Sequence, residues 1–349
     1  MTGNDIYNVL INEIREGRVS GRLPSIARMT AMYGTSHSTV QLVLDKLKLQ
    51  GLVYGQKGKG IFVCETAPVQ HKISSVMILI TLKHFLRNQF YIRMLIMLKE
   101  RLSEAGFNLV LNTELTDDMS HYAAAVITSA NLMSAEQLKK LKFAFGSRIC
   151  LLNHKLDGFV SVSNNNFQGG WLAAERLYDA GHRHIGVVTC YLDMPYSFFF
   201  DRLEGVLAFA RRHRNLKITE FPVSGDEDAP DVAVTGREIL ENHPGITGIF
   251  TFKDIFASEL QQIFKQAGRQ ISLIGYGNSP YGSFLTPALT SIEEDAAGLG
   301  AALSRTVYDL MVGKETRSVD VPVKLIERES VFTWQEPEKG KSAKRRRNN

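Results

Sequence analysis

The sequence predicts an α/β protein with a small, mainly helical N-terminal head ahead of a large body built on parallel sheets. Residues 5–47 carry three helix-like stretches, and a short hairpin follows them. Residues 75–312 alternate apolar strand-like runs with amphipathic helix-like stretches. The length of 349 residues exceeds one ordinary domain and suits two or three folding units.

Composition and charge place any contact with a polyanion at the ends of the chain. The sequence is 44% hydrophobic and 22% charged and has no apolar run of about 20 residues, which is typical of a soluble protein. The N-terminus lacks a basic stretch followed by an apolar core, so we expect a cytoplasmic location. Residues 1–64 and residues 336–349 each carry a net charge of +4. The net charge of the whole chain is +5, so the segment at 65–335 carries −3.

The sequence predicts no enzyme, no metal site and no cofactor. Cys64, Cys150 and Cys190 are odd in number and widely spaced, which fits buried thiols in a reducing compartment. His182 and His184 lie two residues apart, and we expect them to pack or cap rather than to bind metal. The chain contains no phosphate-binding G-x-x-x-x-G-K-[ST], no G-x-S-x-G elbow and no H-E-x-x-H.

The head consists of three predicted helices and a hairpin. Apolar residues at helical spacing predict the first helix over 5–16, and Ser25 is placed to cap the second. Gly34 ends the second helix in a tight turn, and Ser36 is placed to cap the third. Two short helices joined by a glycine turn predict a helix-turn-helix, and the strands around the turn at 55–60 predict a wing.

The head resembles the N-terminal domain of GntR-type regulators across residues 5–63. The matching motifs are L-P-S at 23–25, G-T-S-x-S-T-V at 34–40, L-x-x-x-G-L-V at 47–53 and G-K-G-I-F-V at 58–63. The resemblance implies that the third helix enters the major groove of DNA and that the wing reaches toward the minor groove. That family usually has arginine where this chain has Ala27, His37 and Gln41, so its typical operator is a poor guide here.

The resemblance also assigns contacts by position. Ser36, Thr39 and Lys57 would contact the DNA backbone or groove, whereas His37 and Gln41 would face bases. A glutamine amide can pair with adenine, and glycines beside the wing lysines allow close approach to phosphates. The alternative is a winged helix used for protein contact. The candidate DNA-binding residues are Ser25, Arg28, Ser36, His37, Ser38, Thr39, Gln41, Lys57, Gly58 and Lys59.

The body follows a polar segment at 65–74 that contains Pro68 and is predicted to be a linker. Alternating strands and helices predict parallel sheets with right-handed crossovers in two lobes, and ligands in such folds bind at the carboxyl ends of strands. The predicted strands are 76–80, 108–112, 123–128, 149–152, 184–189, 248–251 and 272–276. The predicted helices are 91–105, 134–142, 169–180, 201–213, 232–242, 255–267 and 296–312.

Residues 75–332 resemble the LacI-type regulators, which share the periplasmic sugar-binding fold. The matching stretches include Asn166–Ala174, Gly181–Ile185, Gly248–Asp254, Leu285–Thr290 and Val321–Ser330. A GntR-type head on a LacI-type body resembles the arabinose regulators of Gram-positive bacteria. The resemblance implies a periplasmic-binding-protein-like domain over 75–335 and an effector cleft between two lobes joined by three crossings. The first lobe is expected at about 75–163 plus 295–321, and the second at about 164–294 plus 322–334.

The resemblance assigns effector binding to Arg202 and Asp254. An aspartate accepts two sugar hydroxyls and an arginine donates a fork of N–H bonds, although a salt-bridged arginine and a helix-capping surface aspartate are the alternatives. Lys253 stands where the family usually has asparagine, which favours an acidic group on the ligand. Phe90 and Tyr91 are placed either to stack on a sugar or to pack in the core. The candidate effector-binding residues are Phe90, Tyr91, Asn153, Arg202, Lys253 and Asp254.

These features predict a DNA-binding transcription regulator that acts as a repressor. The resemblance and the symmetry of typical operators imply a homodimer on a pseudo-palindromic operator. A sugar or sugar derivative is the expected effector, and it acts by a difference in affinity between two arrangements of the heads. The alternative is a small-ligand-binding receptor or carrier whose head makes protein contacts. The basic tail at 336–349 is expected to be disordered and either to strengthen nonspecific DNA binding or only to solubilise the chain.

Overall fold

The computed structural model describes residues 2–15, 18–49, 51–64, 75–80, 89–192, 197–224 and 231–335, without the side chains of Asn4, Arg15 and Gln89. The predicted linker at 65–74 and the predicted tail at 336–349 lie outside these residues. The chain divides into two compact units. Unit 1 comprises Met1–Val162 and Ala296–Val319, and unit 2 comprises Ser163–Asp295 and Asp320–Asn349.

The head is a helix-turn-helix with a wing, as predicted. Its elements are α1 (Gly3–Arg15), α2 (Ile26–Tyr33), α3 (His37–Leu49), β1 (Val53–Gln56) and β2 (Gly60–Val63), with β1 and β2 antiparallel. Both predicted N-caps are confirmed, because the Ser25 hydroxyl accepts a hydrogen bond from the Arg28 amide and the Ser36 hydroxyl accepts one from the Thr39 amide. Gly34 ends α2 with a φ of 58°, a left-handed conformation that glycine adopts readily.

The body part of unit 1 is a six-stranded sheet with helices packed on it. Its strands run in the order β13-β7-β6-β5-β3-β4, and the pairs β4–β3, β3–β5, β5–β6 and β6–β7 are parallel. The strands are β3 (Ser75–Leu79), β4 (Asn108–Asn112), β5 (Tyr122–Ile127), β6 (Ile149–Leu152), β7 (Val160–Asn164) and β13 (Val319–Val321). The helices are α4 (Gln89–Glu104), α5 (Ala135–Phe145) and α10 (Ala296–Met311), with a 3₁₀ turn at Ala130–Leu132.

Unit 2 holds a second six-stranded sheet. Its order is β14-β12-β11-β10-β8-β9, with β14 antiparallel to β12 and the other pairs parallel. The strands are β8 (His184–Cys190), β9 (Lys217–Val223), β10 (Gly248–Thr251), β11 (Ser272–Tyr276), β12 (Thr290–Glu293) and β14 (Lys324–Ile326). The helices are α6 (Asn166–Asp179), α7 (Phe199–Arg212), α8 (Asp231–Asn242) and α9 (Asp254–Gln266), with a 3₁₀ turn at Pro280–Phe284.

The predicted α/β class with parallel sheets is confirmed, and five strands of these sheets were not predicted. The missed strands are β7, β9, β12, β13 and β14. Strands β10, β11, β4 and β6 have the predicted bounds. Strands β10, β11 and β6 are short, mainly apolar runs buried throughout, whereas β4 has an apolar centre, Leu-Val-Leu, of which Leu111 is exposed. In the part of the chain that the structure describes, every helix is too short or too polar to cross a membrane.

The cysteines depart in part from the prediction. Cys150 and Cys190 are buried, and burial raises the pKa of each thiol to about 12. Cys64, at the end of the wing, is only half-buried, so the prediction of three buried thiols is wrong for this residue. It is wrong because β2 ends one residue earlier, where the chain leaves the core of the head.

Candidate functional site

The first turn of α3 presents a cluster of hydroxyl groups to solvent. The Ser36 hydroxyl lies 2.8 Å from both the Ser38 and the Thr39 hydroxyl oxygens while it caps the helix. Ser36, His37 and Ser38 are exposed. Because amide groups at a helix N-terminus favour negative charge, this exposed turn can receive a phosphate oxygen.

Gln41, one turn further along α3, already has a partner. Its side-chain amide donates to Asp45 at 2.9 Å, and Lys48 lies 3.5 Å from the same carboxylate oxygen. A base that pairs with Gln41 must therefore compete with Asp45. The sequence placed Gln41 on the outer face of the helix but did not predict this i,i+4 bond.

The wing exposes Lys57, Gly58 and Lys59 at the turn between β1 and β2. The turn has a left-handed residue at Gly58, with a φ of 76°. Two backbone hydrogen bonds join β2 to the segment before α2: the Leu23 amide donates to the Ile61 carbonyl, and the Val63 amide donates to the Gly21 carbonyl. These bonds attach the wing to the segment before α2, and Leu23 lies two residues before the Ser25 cap. Arg28, in the first turn of α2, is exposed.

Arg202, on α7 of unit 2, lies in a polar cluster at the carboxyl ends of the strands. Only 4% of the residue is exposed. Its Nε donates to the side chain of Asn166 at 2.7 Å, and its Nη1 donates to the Phe252 carbonyl at 2.6 Å. The guanidinium lies 3.3 Å from the centroid of the Tyr276 ring, a cation–π contact. We call Asn164, Asn166, Arg202, Asp254, Tyr276 and Glu294 the strand-end cluster.

Two glycines determine how close α7 comes to α6. A Cβ at Gly170 would collide with the carbonyl oxygen of Arg202, and one at Gly205 would lie 2.8 Å from the backbone nitrogen of Trp171. Only glycine permits backbones to approach this closely. The contact holds the backbone of Arg202 against α6, the helix that also carries Asn166.

Asp254 lies three residues after the end of β10 and begins α9. It is 2% exposed; its Oδ1 accepts from the Ser291 hydroxyl at 2.6 Å and its Oδ2 from the Ser279 amide at 2.5 Å. Burial raises the pKa of Asp254, against the lowering effect of the Ser279 and Ser291 bonds. The alternative of a surface aspartate that caps the helix is wrong, because Asp254 is buried and the N-cap position belongs to Lys253.

Glu294 is a member of the strand-end cluster that the sequence did not predict. It follows β12, accepts a hydrogen bond from the Asn164 amide at 3.0 Å, and lies 3.5 Å from Arg202 Nη2. Burial raises the pKa of Glu294, while the charge of Arg202 opposes this shift. The salt-bridge alternative for Arg202 is therefore confirmed, and its ligand role stays a prediction.

The other predicted effector residues are divided between the units. Phe90 and Tyr91 lie in the first turn of α4, with ring centroids 5.4 Å apart, and both are half-buried. Asn153, after β6, is 3% exposed and has a φ of 56°. These three belong to unit 1 and Arg202, Lys253 and Asp254 to unit 2, where Lys253 Nζ lies 5.0 Å from the Tyr191 ring centroid. Their ligand roles stay predictions.

His182 has a structural role in unit 2, as predicted. Its ring is fully buried, with Nδ1 2.8 Å from the Thr247 hydroxyl and Nε2 2.9 Å from the Ser272 hydroxyl. Desolvation lowers the pKa of His182 to about 4. Both ring nitrogens are thus occupied by hydroxyl groups, which is the environment of a packed, neutral histidine.

Two domain families each match a part of the chain. Residues 2–63 match the bacterial regulatory proteins of the gntR family, and residues 174–331 match the periplasmic binding protein-like domain. The head is therefore similar to the gntR family, and the C-terminal part of the body is similar to the periplasmic binding protein-like domain. The GntR match covers the helix-turn-helix and the wing, and the periplasmic binding protein-like match covers Arg202, Asp254, Tyr276 and Glu294 of the strand-end cluster.

Transcription regulators are among the proteins to which the chain is similar. The HTH-type transcriptional repressor PurR of Klebsiella pneumoniae is 32% identical over 184 residues, which are 51% of this chain and 53% of that protein. The repressor of the same name from Escherichia coli matches with the same identity and coverage. The chain spans about half the length of the curated relatives it matches.

Solved structures of regulators share the fold. The regulator CelR, solved as a cellobiose complex, superposes with a TM-score of 0.63 at 19% identity and covers 88% of this chain and 100% of its own. A LacI-family regulator from Enterococcus faecium, solved with bound ribose, gives a TM-score of 0.61 at 22% identity over 75% of this chain and 100% of its own. These similarities extend the fold assignment to the body of the chain.

Proposed function

We propose that this chain is a DNA-binding transcription regulator, acting as a repressor, whose affinity for its operator is set by a small effector. The observation that carries the proposal is the GntR-family match over residues 2–63, joined to an exposed first turn of α3 and an exposed lysine wing. The repressors among its relatives support the same function.

The head would bind DNA by two kinds of contact. Ser36, Ser38 and Thr39 contact phosphate at the start of α3, whereas His37 and Gln41 read base edges in the major groove. Lys57 and Lys59 contact phosphates beside the groove, where Gly58 leaves room for the backbone. The phosphate contacts contribute affinity that falls with salt, and the α3 contacts contribute sequence preference.

The regulator would act as a homodimer on a two-fold-related operator. Unit 1 offers an exposed apolar surface: Ile96 on α4 is 52% exposed, Ile92 one turn earlier is 40% exposed, and Leu111 on the edge strand β4 is 50% exposed. A self-complementary pairing would cover such a surface and place two heads on two half-sites. Sedimentation of the full chain and of Ile96→Lys tests this, since the variant should sediment as a monomer.

The effector would be a sugar or sugar derivative that binds at the strand-end cluster. Asp254 accepts hydrogen bonds from the Ser279 amide and the Ser291 hydroxyl, and a carboxylate has about four lone-pair sites, so it can also accept from a ligand hydroxyl. Regulators of the same fold have been solved with cellobiose and with ribose, which supports a carbohydrate. No enzymatic step is part of the proposal.

Selection of genomic fragments by the purified full chain at moderate salt, followed by footprinting, tests DNA binding. We expect a two-fold-related site and a salt dependence of affinity whose slope falls by about 1 for each wing lysine replaced by alanine. Lys99→Ala, an exposed lysine on α4, is the matched control and should leave the slope unchanged. Fragments no better than background, with and without pooled sugars, would contradict the proposal and favour a receptor whose head contacts protein.

Effector binding has an optical reporter in the protein. The chain has two tryptophans, Trp171 and Trp334, and both lie in unit 2. A sugar that binds the strand-end cluster should raise the melting temperature of unit 2 followed by their fluorescence. Asp254→Asn should abolish that increase, whereas Asp309→Asn, on α10 of unit 1, should retain it.

A further inference from the structure

Only the Nη2 side of the Arg202 guanidinium is placed to bind an anion, and the Glu294 side chain already occupies that side. Nε and Nη1 donate to Asn166 and to the Phe252 carbonyl, and the ring centroids of Tyr276 and Phe199 lie at 3.3 and 4.8 Å. Nη2 points to Glu294 Oε1 at 3.5 Å. Glu294 therefore lies where the carboxylate or phosphate of an acidic ligand would meet the arginine.

Glu294 is held in this position from a second direction. The Asn164 amide donates to the same Oε1 atom at 3.0 Å, and 11% of the Glu294 side chain is exposed, against 5% for Arg202. The Glu294 side chain is therefore held by two partners and is slightly more accessible than that of Arg202.

The charges of the cluster disfavour a further anion. Asp254 is buried, and the Glu294 side chain, 11% exposed, lies beside the buried guanidinium of Arg202, so an acidic ligand would bring a third acidic group into a site of low dielectric. Two cations outside the cluster are held by neutral groups and keep their charge: Lys253 lies over the Tyr191 and Phe256 rings, and Arg328 donates to the Leu289 carbonyl and to Asn278. The loss of an anion position therefore concerns Arg202 itself, whose charged partner is Glu294. Neutral hydroxyls, in contrast, can donate to both carboxylates.

We propose that Glu294 is a built-in counter-ion that occupies the anion position beside Arg202 and makes the site select neutral polyhydroxylated effectors over acidic ones. The inference rests on the proposed function, because it assumes that the effector binds at the strand-end cluster. It reverses the expectation from Lys253, which favoured an acidic group. Glu294 acts here as a specificity-determining residue through its charge.

The first test compares ligand pairs that differ only in an acidic group. D-Glucose with D-gluconate, D-ribose with D-ribose 5-phosphate, and cellobiose with cellobionate are titrated into the full chain and into Glu294→Gln, with tryptophan fluorescence as the signal. Glutamine keeps the size and the oxygen acceptor but removes the charge. In the native protein the neutral member should bind more tightly, and in Glu294→Gln the preference should fall by about tenfold or more, because a charged partner of Arg202 has been removed. An unchanged preference, or a native protein that prefers the acids, overturns the inference.

The second test needs no effector. In Glu294→Ala the arginine loses its counter-ion, and formate fits the vacated position. Formate should raise the melting temperature of this variant in a saturable way, relative to chloride at equal ionic strength, and should not do so for the native chain. Glu327→Ala is the matched control, because it removes the partner of Arg176 from an exposed pair that water can replace.

The two tests separate the two proposals. Formate rescue of Glu294→Ala with no binding of any sugar would keep the counter-ion role and contradict the proposed sugar effector. Sugar binding without formate rescue and without a change of preference in Glu294→Gln would keep the effector and contradict the counter-ion role.

Discussion

Replacing Gly170 by alanine tests whether the close approach of α6 and α7 holds the strand-end cluster in place. A Cβ at this position would collide with the carbonyl oxygen of Arg202 and lie 2.9 Å from its carbonyl carbon. Carbon atoms in contact lie about 3.5–4.0 Å apart, so the two helices must separate by at least about 0.6 Å. The atoms concerned are backbone, so no change of rotamer relieves the contact.

The expected magnitude follows from two opposing terms. Overpacking of this kind costs about 3 kcal/mol at the upper end of its usual range, whereas alanine in place of glycine favours a helix by about 1 kcal/mol. The net loss is then about 2 kcal/mol in the free energy of unfolding of unit 2. For a unit of this size it corresponds to a melting temperature lower by about 4–8 °C. Displacement of Arg202 should weaken effector binding as well.

Gly236→Ala, in α8 of the same unit, is the matched control. Its Cβ would meet side-chain methyl groups and not backbone, those of Ile263 at 2.9 and 3.3 Å and that of Leu260 at 3.1 Å, so it gains the same helix propensity at a smaller steric cost than Gly170→Ala. Thermal unfolding followed by tryptophan fluorescence reports on unit 2 in both variants, since Trp171 and Trp334 both lie there. If Gly170→Ala melts at or above Gly236→Ala, the backbone contact does not limit α6–α7 packing and the reasoning fails.

Three further predictions concern protonation, thiol reactivity and capping. The pKa of His182 is lowered from 6.5 to about 4 in the folded chain, so the unfolded state binds the proton more readily. The free energy of unfolding should therefore fall by up to about 3 kcal/mol as the pH falls from 6.5 to 4. In urea unfolding, His182→Asn should show a weaker loss over the same pH range. A disulfide reagent should modify Cys64 rapidly in the native chain. It should modify Cys150 and Cys190 only after unfolding, because both thiols are buried and have a pKa of about 12. Rapid modification that persists in Cys64→Ser would contradict this prediction. Ser36→Ala should lower the free energy of unfolding of the head by about 1 kcal/mol, because the α3 cap is lost. Ser36→Thr should lower it much less, and circular dichroism measures both variants. Equal losses would mean that the cap is not the cause.

The sequence predicted the strands that contain an apolar run and missed strands that are polar, very short or at the edge of a sheet. Strand β5 is buried throughout and consists of apolar residues, so its run was visible to within one residue at each end. Strand β7, Val-Ser-Val-Ser-Asn, buries two serines and an asparagine and has no apolar run to reveal it. Strand β9 lies at the edge of its sheet and exposes several of its residues, while β13 and β14 are three residues long.

The contacts of the site residues also divide into those that the sequence predicted and those that it did not. The caps at Ser25 and Ser36 depend on neighbours three residues away, and the sequence predicted both. The contact between Asn164 and Glu294 joins residues 130 positions apart, and no local pattern indicates which polar residue the fold will bring to Arg202. Local rules therefore place a residue at a strand end but do not identify its partner.

The bonds between the wing and the segment before α2 restrict how such a head can change its target. Because Gly21 and Leu23 pair with β2, and the same segment leads into the helix-turn-helix, the wing is tied to the helices of the head. Under the proposed function, such a head can acquire a new recognition sequence by exchanging side chains at 37–41, but it cannot adapt to a half-site of another width. Evolution of new operators should then proceed through point substitutions on α3 and not through insertions in the hairpin.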